Sequence, residues 1–259
     1  MGTEVMKVYK THNAKVYLGN CIDVLKRLPE KSVQCVCTSP PYFALRSYLE
    51  NGHADKSKEI GSESTPDLFV AKIVEVFQGI RRVLRDDGVA FLNLGDSYGD
   101  GGQLQGIPWR VALALQADGW VLRQDIIWSK PSCMPESVKN RCTKSHEYIF
   151  LLTKRMGYYY DADAIKEKLI GEPHAPGNVE LDASRNDHDQ MQKVWGGDGF
   201  HNKRSVWTVS TQGYSEAHFA TLPSEAHSAV HPCRHQRQGL LYPVRCPVEA
   251  SHQGPQAHP

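Results

Sequence analysis

An apolar run, Val33 to Thr38, stops at Ser39-Pro40-Pro41-Tyr42. Neither proline donates a backbone hydrogen bond, and each keeps the residue before it out of the helical region. The product is a stiff strand end with bare carbonyls and one aromatic ring beside them. Such an end suits a planar base that carries an exocyclic amine. The Ser39 hydroxyl and the Pro40 carbonyl can each accept a hydrogen bond from that amine. This removes its lone pair from conjugation with the ring and aims it at an electrophile. The Tyr42 ring offers a stacking face to a base swung out of a duplex, and the prolines supply the rigidity that positioning demands. For a bare Pro-Pro the competing reading is a strand-terminating turn.

The elements that must hold this end follow from periodicity. Lys15 to Gly19 reads as a strand, Cys21 to Leu28 as a helix stopped by Pro29, and Val33 to Thr38 as the next strand. Tyr42 to Thr65 is polar and reads as a long loop, of the kind that is functional or mobile. Pro66 to Arg85 is the best-defined helix. Thr65 caps it, Pro66 suits its first position, and Phe69, Ile73, Phe77, Ile80 and Leu84 recur at helical spacing. Asp87-Gly88 ends it, and Val89 to Leu94 is a strand that opens into "GDSYGDGG". A further helix runs from Pro108 to Asp118-Gly119, with strands at Trp120 to Trp128 and Glu147 to Thr153. The alternation predicts an α/β fold with an open, doubly wound, largely parallel sheet. Val33 to Thr38 and Val89 to Leu94 are its expected parallel central strands, with the long helix packed through Phe69, Ile73, Phe77 and Leu84. Ligands of such sheets bind beyond the carboxyl ends of the strands, where Ser39 to Tyr42 falls.

Residues 1–156 thus form the expected core. Residues 157–204 read as an irregular insertion for target recognition, 205–221 as a return segment, and 222–259 as a poorly packed tail without helix or strand. Of 259 residues 40% are hydrophobic and 23% charged, ordinary for a globular protein, and the net charge of +1 makes any nucleic-acid contact a local matter. No stretch has transmembrane length, and Met1 to Leu18 lacks a signal-peptide apolar core. The seven cysteines form no disulfide framework, which predicts a reducing, cytoplasmic setting. Lys139, Arg141, Lys144, Lys154 and Arg155 make a basic cluster for DNA phosphates or a plain solvated face. "GDSYGDGG" lacks nucleotide-loop spacing and reads as a solvent loop near the site. His146-Glu147 either touches substrate or caps its strand, and Tyr158 to Tyr160 reads as packing.

With "VYLGNCIDVLKRLPEKSVQCVCTSPPYF", "GVAFLNLGDSY", "WVLRQDIIWSKP", "SHEYIFLLTK" and "RSVWTVST" in this order, the chain resembles the amino-methyltransferases of DNA, in the circularly permuted β group. The likeness spans Lys15 to Thr221. It implies a site-specific methyltransferase that moves a methyl group from S-adenosylmethionine to an exocyclic amine of double-stranded DNA. Ser at the first motif position favours cytosine N4, with adenine N6 as the alternative; RNA or protein methylation is a third reading. Ser39, Pro40, Pro41 and Tyr42 take the catalytic positions. Cofactor contacts fall on Asn20, where the family often has an acidic residue, and on Ser39, His218 and Phe219. Lys139, Arg141 and Lys144 take the DNA, no metal is implied, and a cognate restriction endonuclease is a possible partner.

The family's late cofactor motif, a strand followed by Phe-x-Gly-x-Gly, is expected after His218-Phe219 and is not found there. Codons chosen for the tail and read one base later give a family-like continuation with a Cys-x-x-Cys. The chain therefore reads as truncated or frameshifted near Leu222, keeping the methyl-acceptor half of the site. S-adenosylmethionine is expected to bind weakly and methylation to be unmeasurable. An inactive DNA-binding remnant is the rival expectation.

Overall fold

The computed structural model describes residues 7–10, 14–168, 199–211 and 240–241. An antiparallel pair, β1 (Lys7–Lys10) with β2 (Lys15–Leu18), precedes α1 (Cys21–Arg27) and β3 (Val33–Thr38). Then come α2 (Pro66–Val83), β4 (Leu84–Leu94), α3 (Ile107–Ala117), β5 (Val121–Ser129) and β6 (His146–Thr153). Short strands follow: β7 (Glu167–Lys168), β8 (Phe200–His201), β9 (Val206–Thr208) and β10 (Leu240–Leu241). The main sheet has the order β10-β3-β4-β6-β5-β9. β3 and β4 are parallel neighbours, with Cys35 opposite Val89 and Thr38 opposite Leu92.

β6 alone among the sheet's described strands runs against its neighbours, antiparallel to both β4 and β5. A parallel return needs a crossover, usually a helix. Residues 130–145 contain no helix, and Lys130 N–H donates to the Ser145 carbonyl at 2.7 Å, closing the connection as a reversal.

Two further expectations are corrected. α2 ends at Val83 and β4 starts at Leu84, so Asp87-Gly88 lies inside the strand and Leu84 is not a helix residue. Leu84 pairs with Val33, and a register shift between Val33 and Cys35 absorbs the mismatch. Gly88 permits this: a Cβ there would stand 2.8 Å from both the Gln34 carbonyl oxygen and the Leu84 side chain. In the tail, Leu240–Leu241 pairs in parallel with Cys35 and Val36, a strand where none was expected.

The core is layered about this sheet. Phe69, Ile73, Phe77, Ile80 and Val83 of α2 are all buried on one face, joined by Leu25 of α1 and Val111 and Leu115 of α3. On the other face Phe91, Ile126, Trp128, Ile149, Leu151 and Trp207 cluster, with Tyr158, Tyr159 and Tyr160 packed against them. Phe77 is 1% exposed and meets the Trp120 ring edge-on at 5.7 Å. Phe77→Ala is expected to lower unfolding free energy by about 3–5 kcal/mol, read from the urea midpoint.

Candidate active site

β3 and β4 end, and β6 begins, at the same edge of the sheet. Ser39 to Tyr42 leave β3 there half-buried, and the next residues are clamped. Phe43 is buried and meets the Phe69 ring at 5.7 Å, while Ala44 N–H donates to the Gly61 carbonyl at 2.9 Å. Gly61 has φ of +99°, and a Cβ on it would come within 3.0 Å of Pro41 and of the Tyr42 carbonyl. The loop read as long and polar is tied down by the Glu59 carboxylate, which accepts from Tyr48 N–H, Leu49 N–H and Lys56 Nζ.

Asn93, near the end of β4, is 4% exposed in a strand of apolar neighbours. Its Nδ2 donates to the Tyr42 hydroxyl at 2.9 Å and to Glu147 Oε2 at 2.8 Å, with a longer 3.4 Å contact to Ser39 Oγ. The Tyr42 hydroxyl donates to the same Glu147 oxygen at 2.5 Å. Lys130 binds the other oxygen, Oε1. Burial alone would raise the Glu147 carboxyl, but Lys130, Tyr42 and Asn93 outweigh it and hold it below the usual carboxylate range. Gly95 closes the arrangement, since a Cβ on it would lie 2.5 Å from Tyr42 Cε2. The edge of the Tyr42 ring thus lies close to bare backbone, and its hydroxyl closes a hydrogen-bond triangle with Glu147 Oε2 and Asn93 Nδ2. Asn93 and Lys130 escaped the sequence reading, and Gly95 was read only as the start of a solvent loop near the site; an asparagine within "VAFLNLG" was the available signal.

Other expected site residues are placed differently. The five-residue basic cluster is divided. Lys154 and Arg155 lie beyond the far end of β6, where they bind the Leu84 and Asp86 carbonyls. Arg141 pairs with Glu136 and stacks 3.9 Å from the Tyr98 ring centroid. Lys144 Nζ donates to the Asp96 carbonyl at 2.6 Å. Lys139 is exposed. The Asp96 carboxylate in turn accepts from Gly106 and Ile107 N–H at 3.0 Å, at the start of α3. His146 flanks the site and meets the Tyr148 ring edge-on at 5.3 Å.

Of the residues expected to hold S-adenosylmethionine, Asn20 and Ser39 are described. Asn20 caps α1, its side-chain oxygen accepting from Ile22 N–H at 2.9 Å and Asp23 N–H at 3.4 Å. That acceptor is therefore committed to the helix and not to a ribose. β10, the strand beside β3, continues in sequence into Tyr242-Pro243-Val244 and not into a glycine turn. His218 and Phe219 lie outside the described residues. Among the described residues no cluster of His, Cys, Asp and Glu is arranged for a metal, and no helix is long and apolar enough to cross a membrane.

Cys37, two residues before Ser39, carries a thiol that burial pushes up to about 12. It is neutral at physiological pH and cannot serve as a thiolate nucleophile. On maleimide treatment of the folded chain at pH 8, the exposed Cys142 is expected to label and Cys37 to stay unmodified in peptide mapping. Labelling of both at equal rates would contradict the burial.

The DNA methylase family, of N6/N4 methyltransferase type, matches residues 33–249, past Thr221 and through the segment that carries β10. The chain is 38% identical over 250 residues to the type II methyltransferase M.Cfr9I of Citrobacter freundii, covering 86% of this chain and 72% of that protein. It is 37% identical over 239 residues to M.SmaI of Serratia marcescens, covering 82% and 72%. The structure of the cytosine-N4-specific PvuII DNA methyltransferase superposes with a TM-score of 0.61 at 17% identity, covering 86% of this chain and 71% of that one. At that identity the likeness shows the fold.

Proposed function

We propose that this chain, which belongs to the DNA methylase family, methylates the exocyclic amine of a base in double-stranded DNA, with cytosine N4 as acceptor and S-adenosylmethionine as donor. Family membership establishes the coarser statement, an amino-group DNA methyltransferase of restriction–modification type. The observation that carries the finer reading is the meeting of Ser39, Asn93, Tyr42 and Glu147 at one strand end. This is an acceptor site for a flat, amine-bearing ring.

In this reading Ser39 Oγ and the Pro40 carbonyl accept the two amine hydrogens, so the nitrogen lone pair points away from both. Tyr42 stacks on the extruded base, and Pro41 keeps the turn rigid. The amine itself is the nucleophile. One of its protons leaves to solvent once nitrogen has four bonds. The neutral Cys37 fits this direct course, whereas methylation at carbon 5 needs a thiolate. Serine at position 39 supports cytosine N4 over adenine N6. Lys139, Arg141 and Lys144 are proposed to face the phosphates, Arg141 and Lys144 from positions already fixed by Tyr98 and Asp96.

Expression in a host without either modification, followed by mass spectrometry of hydrolysed genomic DNA, tests the proposal. N4-methylcytosine would carry the cytosine reading against the expectation of weak cofactor binding, and N6-methyladenine would move the reading to the adenine branch. Unmodified DNA with retained DNA binding would favour a second reading, a DNA-binding form without catalysis. The committed Asn20 oxygen and the Tyr-Pro continuation of β10 favour it. Both observations lead us to expect weak cofactor affinity, with calorimetric titration not saturating below about 1 mM. A clear micromolar isotherm would show that other residues form the cofactor site.

A further inference from the structure

We propose that Glu147 is the positioning residue of the acceptor site, its carboxylate fixing the Tyr42 hydroxyl so that the ring stands at one angle to the incoming base. This rests on the reading of Ser39 to Tyr42 as the acceptor site and adds how that site is kept in register.

Three observations carry it. First, the Tyr42 hydroxyl, Glu147 Oε2 and Asn93 Nδ2 close a triangle of hydrogen bonds, which fixes where the phenol oxygen stands. Tyr42 donates to Glu147 at 2.5 Å and accepts from Asn93 at 2.9 Å, and Gly95 leaves room for the Cε2–Cδ2 edge of the ring. Second, the carboxylate has no remaining chemical task. Oε2 accepts from both Tyr42 and Asn93, Oε1 is bound to Lys130, and the group stays ionised well into acid. It is a poor base for the amine proton. Third, the Lys130–Glu147 pair is largely buried, with side chains 21% and 14% exposed. Buried ion pairs of this kind are commonly no more stabilising than an apolar pair of similar shape. Stability therefore does not account for it, whereas orientation of Tyr42 does.

The full chain, labelled with 13C at tyrosine Cζ, gives a readout independent of methyl transfer. The Tyr42 resonance, assigned by its loss in Tyr42→Phe, is expected to shift in Glu147→Gln while the other tyrosines hold still. An unmoved Tyr42 signal would overturn the proposal. Kinetically, Tyr42→Phe and Glu147→Gln are each expected to lower transfer about tenfold, and the double variant no further, because both remove one interaction. Losses that multiply to about a hundredfold would show that Glu147 acts by another route. The paired variant Lys130→Met/Glu147→Leu should keep or raise the unfolding midpoint yet show the same loss of transfer. A fall in midpoint that accounts for the lost transfer would make the pair merely structural. Unchanged transfer in Ser39→Ala would instead remove the acceptor-site reading, which separates the two failures.

Discussion

Replacing Ser39 with alanine in a frame-restored enzyme is expected to reduce methyl transfer by roughly two to three orders of magnitude while DNA retention in a gel shift stays near that of the unsubstituted form. The size of the loss follows from what the hydroxyl does. An amine conjugated with its ring is a weak nucleophile, and each acceptor that draws an N–H out of conjugation acts most strongly as the new bond forms. Removing a hydrogen bond that matters mainly in the transition state lowers kcat more than binding. Asn93 holds this oxygen only loosely. Asn93 Nδ2 has two hydrogens, and its shorter contacts, 2.8 and 2.9 Å, go to Glu147 and Tyr42. The 3.4 Å contact to Ser39 is left as the weak one. The measurement is methylated base per genome at matched expression, with gel shift as control. Wild-type methylation in Ser39→Ala would remove Ser39 from the reaction.

Gly95→Ala is expected to cost about a hundredfold in transfer with little effect on global stability. The added methyl would lie 2.5 Å from Tyr42 Cε2 and 2.9 Å from Cδ2, closer than atoms of this kind approach. Gly95 directly follows the central strand β4, whose backbone is fixed by its neighbours, so the ring is the part that yields. A movement of about 1 Å at a positioning group suffices for a loss of this order. Tyr42 is only half-buried where it packs on the core of α2 and β4, so the packing at stake is small. Near-normal transfer in Gly95→Ala would mean that Tyr42 reorients without consequence, and that its packing against the glycine is incidental.

The sequence made part of this legible. The α2 start was readable because Thr65, Pro66 and the apolar spacing agree, and β3 because Pro40-Pro41 mark where it must stop. The strand Leu84 to Leu94 was read five residues short, since Asp87-Gly88 is a helix-stop signal that a strand also tolerates when a neighbouring backbone leaves room only for glycine. The direction of β6 was not legible: an apolar run reads the same from either end, and only the helix-free connection behind it decides. Ser39 to Tyr42, the proposed acceptor site, could be picked out from local chemistry alone. Glu147 stood between two readings because its decisive partner, Tyr42, lies 105 positions away. The basic residues from Lys139 to Arg155 looked like one patch because closeness in sequence hides that β6 carries two of them to the opposite end of the sheet.

The reversal of β6 also sets the order in which the molecule can be assembled. Ser39 and Tyr42 are synthesised early and can join the β3–α2–β4 unit as soon as that unit folds. Their holding group, at position 147, arrives only after the whole of β5 and the turn behind it, and it must insert between two strands already made. The Tyr42–Glu147 contact spans 105 positions, and contacts of long separation close late in folding, after the loop entropy between them has been overcome. Amide exchange during refolding should therefore protect β3 and α2 before β6, leaving an interval in which the helix-backed half of the sheet is formed while Tyr42 still turns freely.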